Sequence, residues 1–103
     1  MSIWRPTAAK LEPETELSHW QILHDPESNE YYFSGWTGYE GRHSSKIVEF
    51  DFQTLSGRTR SGRIYRLING YRGWNADVAY VVRRWQRINF CDSVVVNPED
   101  VKI

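Results

Sequence analysis

The chain reads as one α+β domain: an antiparallel meander of four to five strands, curved enough to close in a barrel-like way, with one C-terminal amphipathic helix packed on it. Three observations predict this. Residues 46–52 alternate apolar and polar side chains, the period-two pattern of a half-buried strand. Residues 78–88 change to helical spacing, with Val78, Val81, Val82, Trp85 and Ile88 at intervals of three and four. The apolar runs are separated by short Pro-, Gly- and Asn-bearing turns, which join antiparallel neighbours. A helix after such a meander buries its apolar stripe on one face of the sheet.

Taken in order, residues 1–16 contain Pro6, Pro13, Lys10 and three glutamates without apolar periodicity, and are expected to form a flexible N-terminal arm. Residues 17–103 are then the folded domain. Leu17 to Leu23 places Trp20 and Ile22 on one parity and reads as a strand. Asp25-Pro26-Glu27-Ser28-Asn29 is a turn, because proline presets φ and the Asp and Asn side chains bond nearby backbone. Glu30 to Thr37 is rich in strand-favouring aromatics and completes a first hairpin. Residues 38–44 read as a polar, glycine-punctuated loop.

Lys46 to Phe52 is the clearest strand. Val48, Phe50 and Phe52 share one face, which should be the buried one, and Ile47, Glu49 and Asp51 share the other. A turn at 54–57 leads into Arg58–Ile68, read as one bent strand or two short ones with Gly62 at a bulge. Residues 69–74 form a loop. Asn75 suits the N-cap of the following helix and Asp77 its first turn, where the dipole favours an acid; Asn89 suits its end. A last short strand, Ser93 to Val96, precedes the Asn97-Pro98 turn.

The bulk composition fits one core. A chain of 103 residues buries about two thirds of the surface exposed by its unfolded form, and five Trp, six Tyr and four Phe supply large rings to fill it. Cys91 is the single cysteine, which excludes an internal disulfide and a cysteine-based zinc site and fits a reducing compartment. Met1 to Pro6 has no apolar leader core, and no apolar run approaches the roughly 20 residues that span a bilayer. The expected setting is therefore cytoplasmic, with no membrane partner.

Formal net charge is zero, yet residues 42–90 carry +7 and the remainder −7. Such asymmetry points to an anionic partner, or to acidic ends that neutralise a basic middle. The basic residues that would bind a nucleic acid or another polyanion are Arg58, Arg60, Arg63, Arg66 and Arg72, with Arg83, Arg84 and Arg87 on the helix. Arginine suits phosphate because its planar fork pairs bidentately. The interleaved Tyr65, Tyr71 and Trp74 can stack bases. An alternative is a protein partner or self-association through exposed aromatics in or beside loops, for which Trp36, Tyr39, Tyr71 and Trp74 are the candidates.

Catalytic and cofactor patterns are lacking in the sequence. Residues 57–64 (GRTRSGRI) have Arg-Ile where a phosphate-binding loop needs Lys-Ser/Thr, and precede a strand, not a helix. Gly70-Tyr71-Arg72-Gly73 follows a strand, whereas the GxxG loop of KH domains joins two helices. His19, His24 and His43 lack metal-ligand spacing, and Cys91 has no base near it in sequence. The expectation is a non-catalytic module without metal or cofactor.

The segments Ile47-Val48-Glu49-Phe50-Asp51, Thr59-Arg60-Ser61-Gly62-Arg63-Ile64-Tyr65-Arg66-Leu67 and Ala79-Tyr80-Val81, with Trp85, resemble a family of small bacterial proteins often carried on mobile or accessory DNA. The resemblance covers roughly the second half of the chain. It implies a bacterial, cytoplasmic setting and no particular activity.

Overall fold

The computed structural model describes residues 14–68 and 74–103. Its elements are β1 (Glu14–Asp25), β2 (Glu30–Trp36), β3 (Gly41–Asp51), β4 (Ser56–Thr59), β5 (Ile64–Leu67), α1 (Ala76–Asn89) and β6 (Val94–Val96), followed by a 3₁₀ turn at Pro98–Asp100. This is the α+β arrangement that the sequence predicts.

Strands β1 to β5 pair in chain order, each antiparallel to the last. Directions alternate along a meander, so the first and fifth strands point the same way. β5 accordingly returns to β1 as a parallel neighbour, from Glu14↔Ile64 to Leu17↔Leu67, and the pairings run in a ring. β6 pairs antiparallel with the other end of β1, at Ile22 to His24. The twelve residues of β1 thus serve three neighbours.

Inside the ring lies one apolar cluster: Leu17, Trp20, Ile22, Tyr31, Phe33, Ile47, Tyr65 and Leu67. Phe33 packs at tilted angles on Phe50 and Tyr65. Bulges decide which side chains enter it. In β1 the register shifts between Ser18 and Gln21, with His19 in the left-handed region at φ 48°, so that Leu17 and Trp20, three apart, both point inward. The Trp20 indole N–H donates to the Ile68 carbonyl at 3.2 Å.

Several expectations need correction. The arm does not extend to residue 16, because Glu14 to Leu17 pair with β5 and Thr15 is buried. Residues 1–13 lie outside the described residues. Gly41 to Ser44 are strand and not loop: the turn is confined to 37–40, closed by the Thr37 amide on the Glu40 carbonyl, and Gly41 to His43 pair with β2. The simple alternation in β3 fails because its register shifts between Ile47 and Glu49. Ile47 is therefore buried with Phe50 packed beside it, while Phe52, past the strand end, is 52% exposed. Arg58–Ile68 is two strands, and Gly62 sits at φ 92° in the turn between them, not at a bulge.

Helix α1 forms where its local signals place it. The Asn75 side chain accepts from the Asp77 and Val78 amides at 2.9 and 3.1 Å, and Phe90 ends the helix in the left-handed region. It packs on the outer side of β3 and β2. Gly41 makes the close approach possible, since a Cβ there would lie 2.6 Å from the Asp77 carbonyl oxygen. The contact is shallower than the stripe suggests. Val78 is buried and Val81, Val82 and Trp85 are half-buried, but Ile88 is 60% exposed. Trp85 packs on Tyr32 and His43, and not on the face of Val48, Phe50 and Phe52 that the alternation of residues 46–52 marks as buried.

Candidate polyanion interface

The outward face of α1 follows from its packing. With Val78, Val82 and Trp85 turned to the sheet, helical geometry puts Tyr80, Arg83, Arg84 and Arg87 on the opposite side, and all four are exposed. Arg83 and Arg87 are one turn apart, with Arg84 beside them. Among the described residues no acid pairs with any of the three. Asp77, in the first turn, is the one acid of the helix. The result is a strip of three guanidinium groups around a tyrosine ring.

The remaining arginines are placed differently. Arg58 sits opposite Glu49 in the β3–β4 register, and its Nε donates to Glu49 Oε1 at 3.0 Å. Arg66 lies 3.8 Å from Glu14 across the β1–β5 closure. Arg63 is half-buried and donates to Thr15 Oγ1 at 3.3 Å. Arg60 is exposed in the β4–β5 turn, its backbone N–H donating to the Lys46 carbonyl. Arg72 and Tyr71 lie outside the described residues. Because α1 packs on β2 and β3, it does not lie on the strands that carry Arg58 and Arg66. Among the described residues the arginines therefore divide into a helix group without acidic partners and a strand group in which Arg58 and Arg66 meet glutamates.

The aromatic candidates also separate. Tyr65 is buried in the core and cannot stack on a base. Trp36 is half-buried at the end of β2, opposite Gly41. Tyr39 is exposed in the β2–β3 turn, and Trp74, immediately before the Asn75 cap, is 79% exposed.

One cluster has no signature in the sequence. Ser34 and His43 are register partners on β2 and β3 beneath α1. His43 stacks on Trp85 with ring centroids 4.4 Å apart, and Trp85 in turn meets Tyr32 at 4.6 Å. His43 Nδ1 lies 3.0 Å from the Ser44 carbonyl, so it carries the proton and leaves Nε2 as an acceptor. Among the described residues neither Nε2 nor Ser34 Oγ has a hydrogen-bond partner. Burial lowers the His43 pKa to about 4 against the partial support of that carbonyl. Serine and histidine side by side invite comparison with a nucleophile and its base. Here they are not bonded to each other, and Ser34 is wholly buried, which closes it to a substrate.

Nearby, the Tyr32 hydroxyl donates to Glu30 Oε1 at 2.7 Å, and Lys46 stands 3.6 Å from the same carboxylate. The bond from Tyr32 and the lysine charge hold Glu30 below the usual carboxylate range, while burial and that bond raise the Tyr32 pKa. Burial and the neighbouring Asp25 raise the Cys91 thiol, which disfavours the reactive thiolate. No group of three His, Cys, Asp or Glu side chains suited to a metal occurs among the described residues. Among these residues, no helix is long and apolar enough to cross a membrane.

Fold and surface together define a small α+β domain that presents an arginine-bearing helix. No family model, curated protein or solved structure matches the chain.

Proposed function

We propose that this protein is a small non-catalytic binding module whose helix α1 holds the phosphate backbone of a nucleic acid. The observation that carries the reading is the strip of Arg83, Arg84 and Arg87, exposed and, among the described residues, without acidic partners, on a domain where Arg58 and Arg66 each meet a glutamate. An exposed guanidinium without a carboxylate keeps its fork of donors available for phosphate oxygens. Tyr80 in the middle of the strip adds a ring and a hydroxyl at the same surface. The setting proposed is the bacterial cytoplasm, on the resemblance of residues 47–51, 59–67 and 79–81 to accessory-DNA proteins.

The test is Arg84→Glu/Arg87→Glu. Both side chains face solvent, so thermal unfolding should change by less than about 0.5 kcal/mol. Anisotropy with labelled oligonucleotides at low salt should show binding by the native protein and its loss in the double variant. Unchanged binding would refute the reading.

A second reading, a protein-interaction surface, has one observation in its favour: Phe90, Val94 and Val95 are exposed close together in sequence, and β6 pairs along one edge only among the described residues. Self-association abolished by Phe90→Ser, with no oligonucleotide binding, would favour it.

A further inference from the structure

We propose that the groove between α1 and β1 takes an unpaired nucleobase, so that the nucleic acid held by the helix face is single-stranded. This inference rests on the polyanion reading and adds the kind of strand. The groove is half open to solvent and offers about 280 Å³. Val78 and Val82 give it an apolar floor, Gln21 enters from β1, and Gln86 and Arg83 enter from α1. Trp74 stands at its mouth with most of the indole in water.

Each feature matches a base. A cavity below the roughly 300 Å³ lower bound of ordinary ligand pockets suits one flat ring system. An exposed indole beside an apolar floor offers a stacking face, and stacking is indifferent to base identity. Gln86 donates through Nε2 to the Ser93 carbonyl and hydroxyl, which fixes the amide and leaves its Oε1 to accept from a base edge. Arg83 belongs both to the groove and to the outer strip. A phosphate held by Arg83 and Arg87 therefore leaves its attached base beside the groove. In a duplex the bases stay stacked on each other and present no free face to Trp74; a single strand presents one per nucleotide.

The experiment compares the full-length protein with Trp74→Ala, using fluorescein-labelled oligo-dT, oligo-U and a mixed-sequence duplex, with tryptophan quenching as a second readout. The native protein should bind both single strands roughly tenfold tighter than the duplex, and Trp74→Ala should remove that preference while leaving duplex binding in place. Oligo-dT should quench the native fluorescence and quench the variant much less. Equal affinity for strand and duplex, unmoved by Trp74→Ala, would overturn the inference and leave the polyanion reading standing. Absence of binding to all three probes would overturn both.

Discussion

Acidification to about pH 5 should destabilise this fold mainly through His43. The ring is packed between Trp85 and the β2–β3 ladder, its Nδ1 committed to the Ser44 carbonyl and its Nε2 buried without a partner. Burial lowers its pKa from 6.5 to about 4. The sign follows directly. Between these values the unfolded chain binds a proton that the folded protein excludes, so acid favours unfolding. The stabilisation is complete well above pH 6.5, falls as pH drops between the two values, and levels off only well below pH 4, where both states are protonated. Linkage across that gap amounts to about 2 kcal/mol between roughly pH 7.5 and 5. Urea unfolding at stepped pH measures it. Asp25 and Glu30 also have lowered pKa values, but their contributions are lost below the ordinary carboxylate range, outside this window. His43→Phe keeps a ring against Trp85 and removes the titration, so its profile should be nearly flat from pH 7.5 to 5. Equal slopes in the two proteins would refute the argument. A flat native profile would refute it too, and would mean that the Trp85 face holds the imidazolium as well as the neutral ring.

Other expected outcomes follow from packing. Phe33, fully buried between Phe50 and Tyr65, should cost about 3–5 kcal/mol when replaced by alanine, read from the urea midpoint. Trp85→Ala should cost less, about 2 kcal/mol, because that ring is only half-buried, and a loss as large as that of Phe33→Ala would contradict the shallow docking of α1. Gly41→Ala puts a Cβ against the backbone of Asp77 and should destabilise by about 1–3 kcal/mol with reduced helical circular dichroism; an unchanged melting temperature would show that α1 does not rest on β3 as described.

Local signals were the legible ones. Asn75 caps α1 through bonds spanning two and three residues, and the Asp25–Asn29 turn is held by the Asp25 carboxylate on the Glu27 amide and Ser28 hydroxyl. The inward parity of Trp20 and Ile22 also survived, because the β1 bulge ends before Ile22. β3 was not legible in the same way. Its register shifts fall around Ser44-Ser45 and Val48, where neither glycine nor proline marks a bulge, and one extra residue reverses which side chains face the core. The candidate surface shows the same division. That Arg83, Arg84 and Arg87 share an outward helix face is a matter of local geometry. That Arg58 meets Glu49, and that Ser34 lies beside His43 under Trp85, depends on strand register and helix docking, which join residues far apart in the chain.

Contact between the guanidinium strip of α1 and phosphates should show in the salt dependence of oligonucleotide binding. Each neutralised phosphate releases condensed counterions, so log Kobs falls linearly with log salt and the slope counts the contacts. Three arginine contacts predict a slope of about −2 to −3, and Arg84→Glu/Arg87→Glu should lose measurable binding even at the lowest salt. Binding whose affinity is independent of salt, or a slope identical in the native protein and the double variant, would mean that the strip of α1 does not contact phosphate.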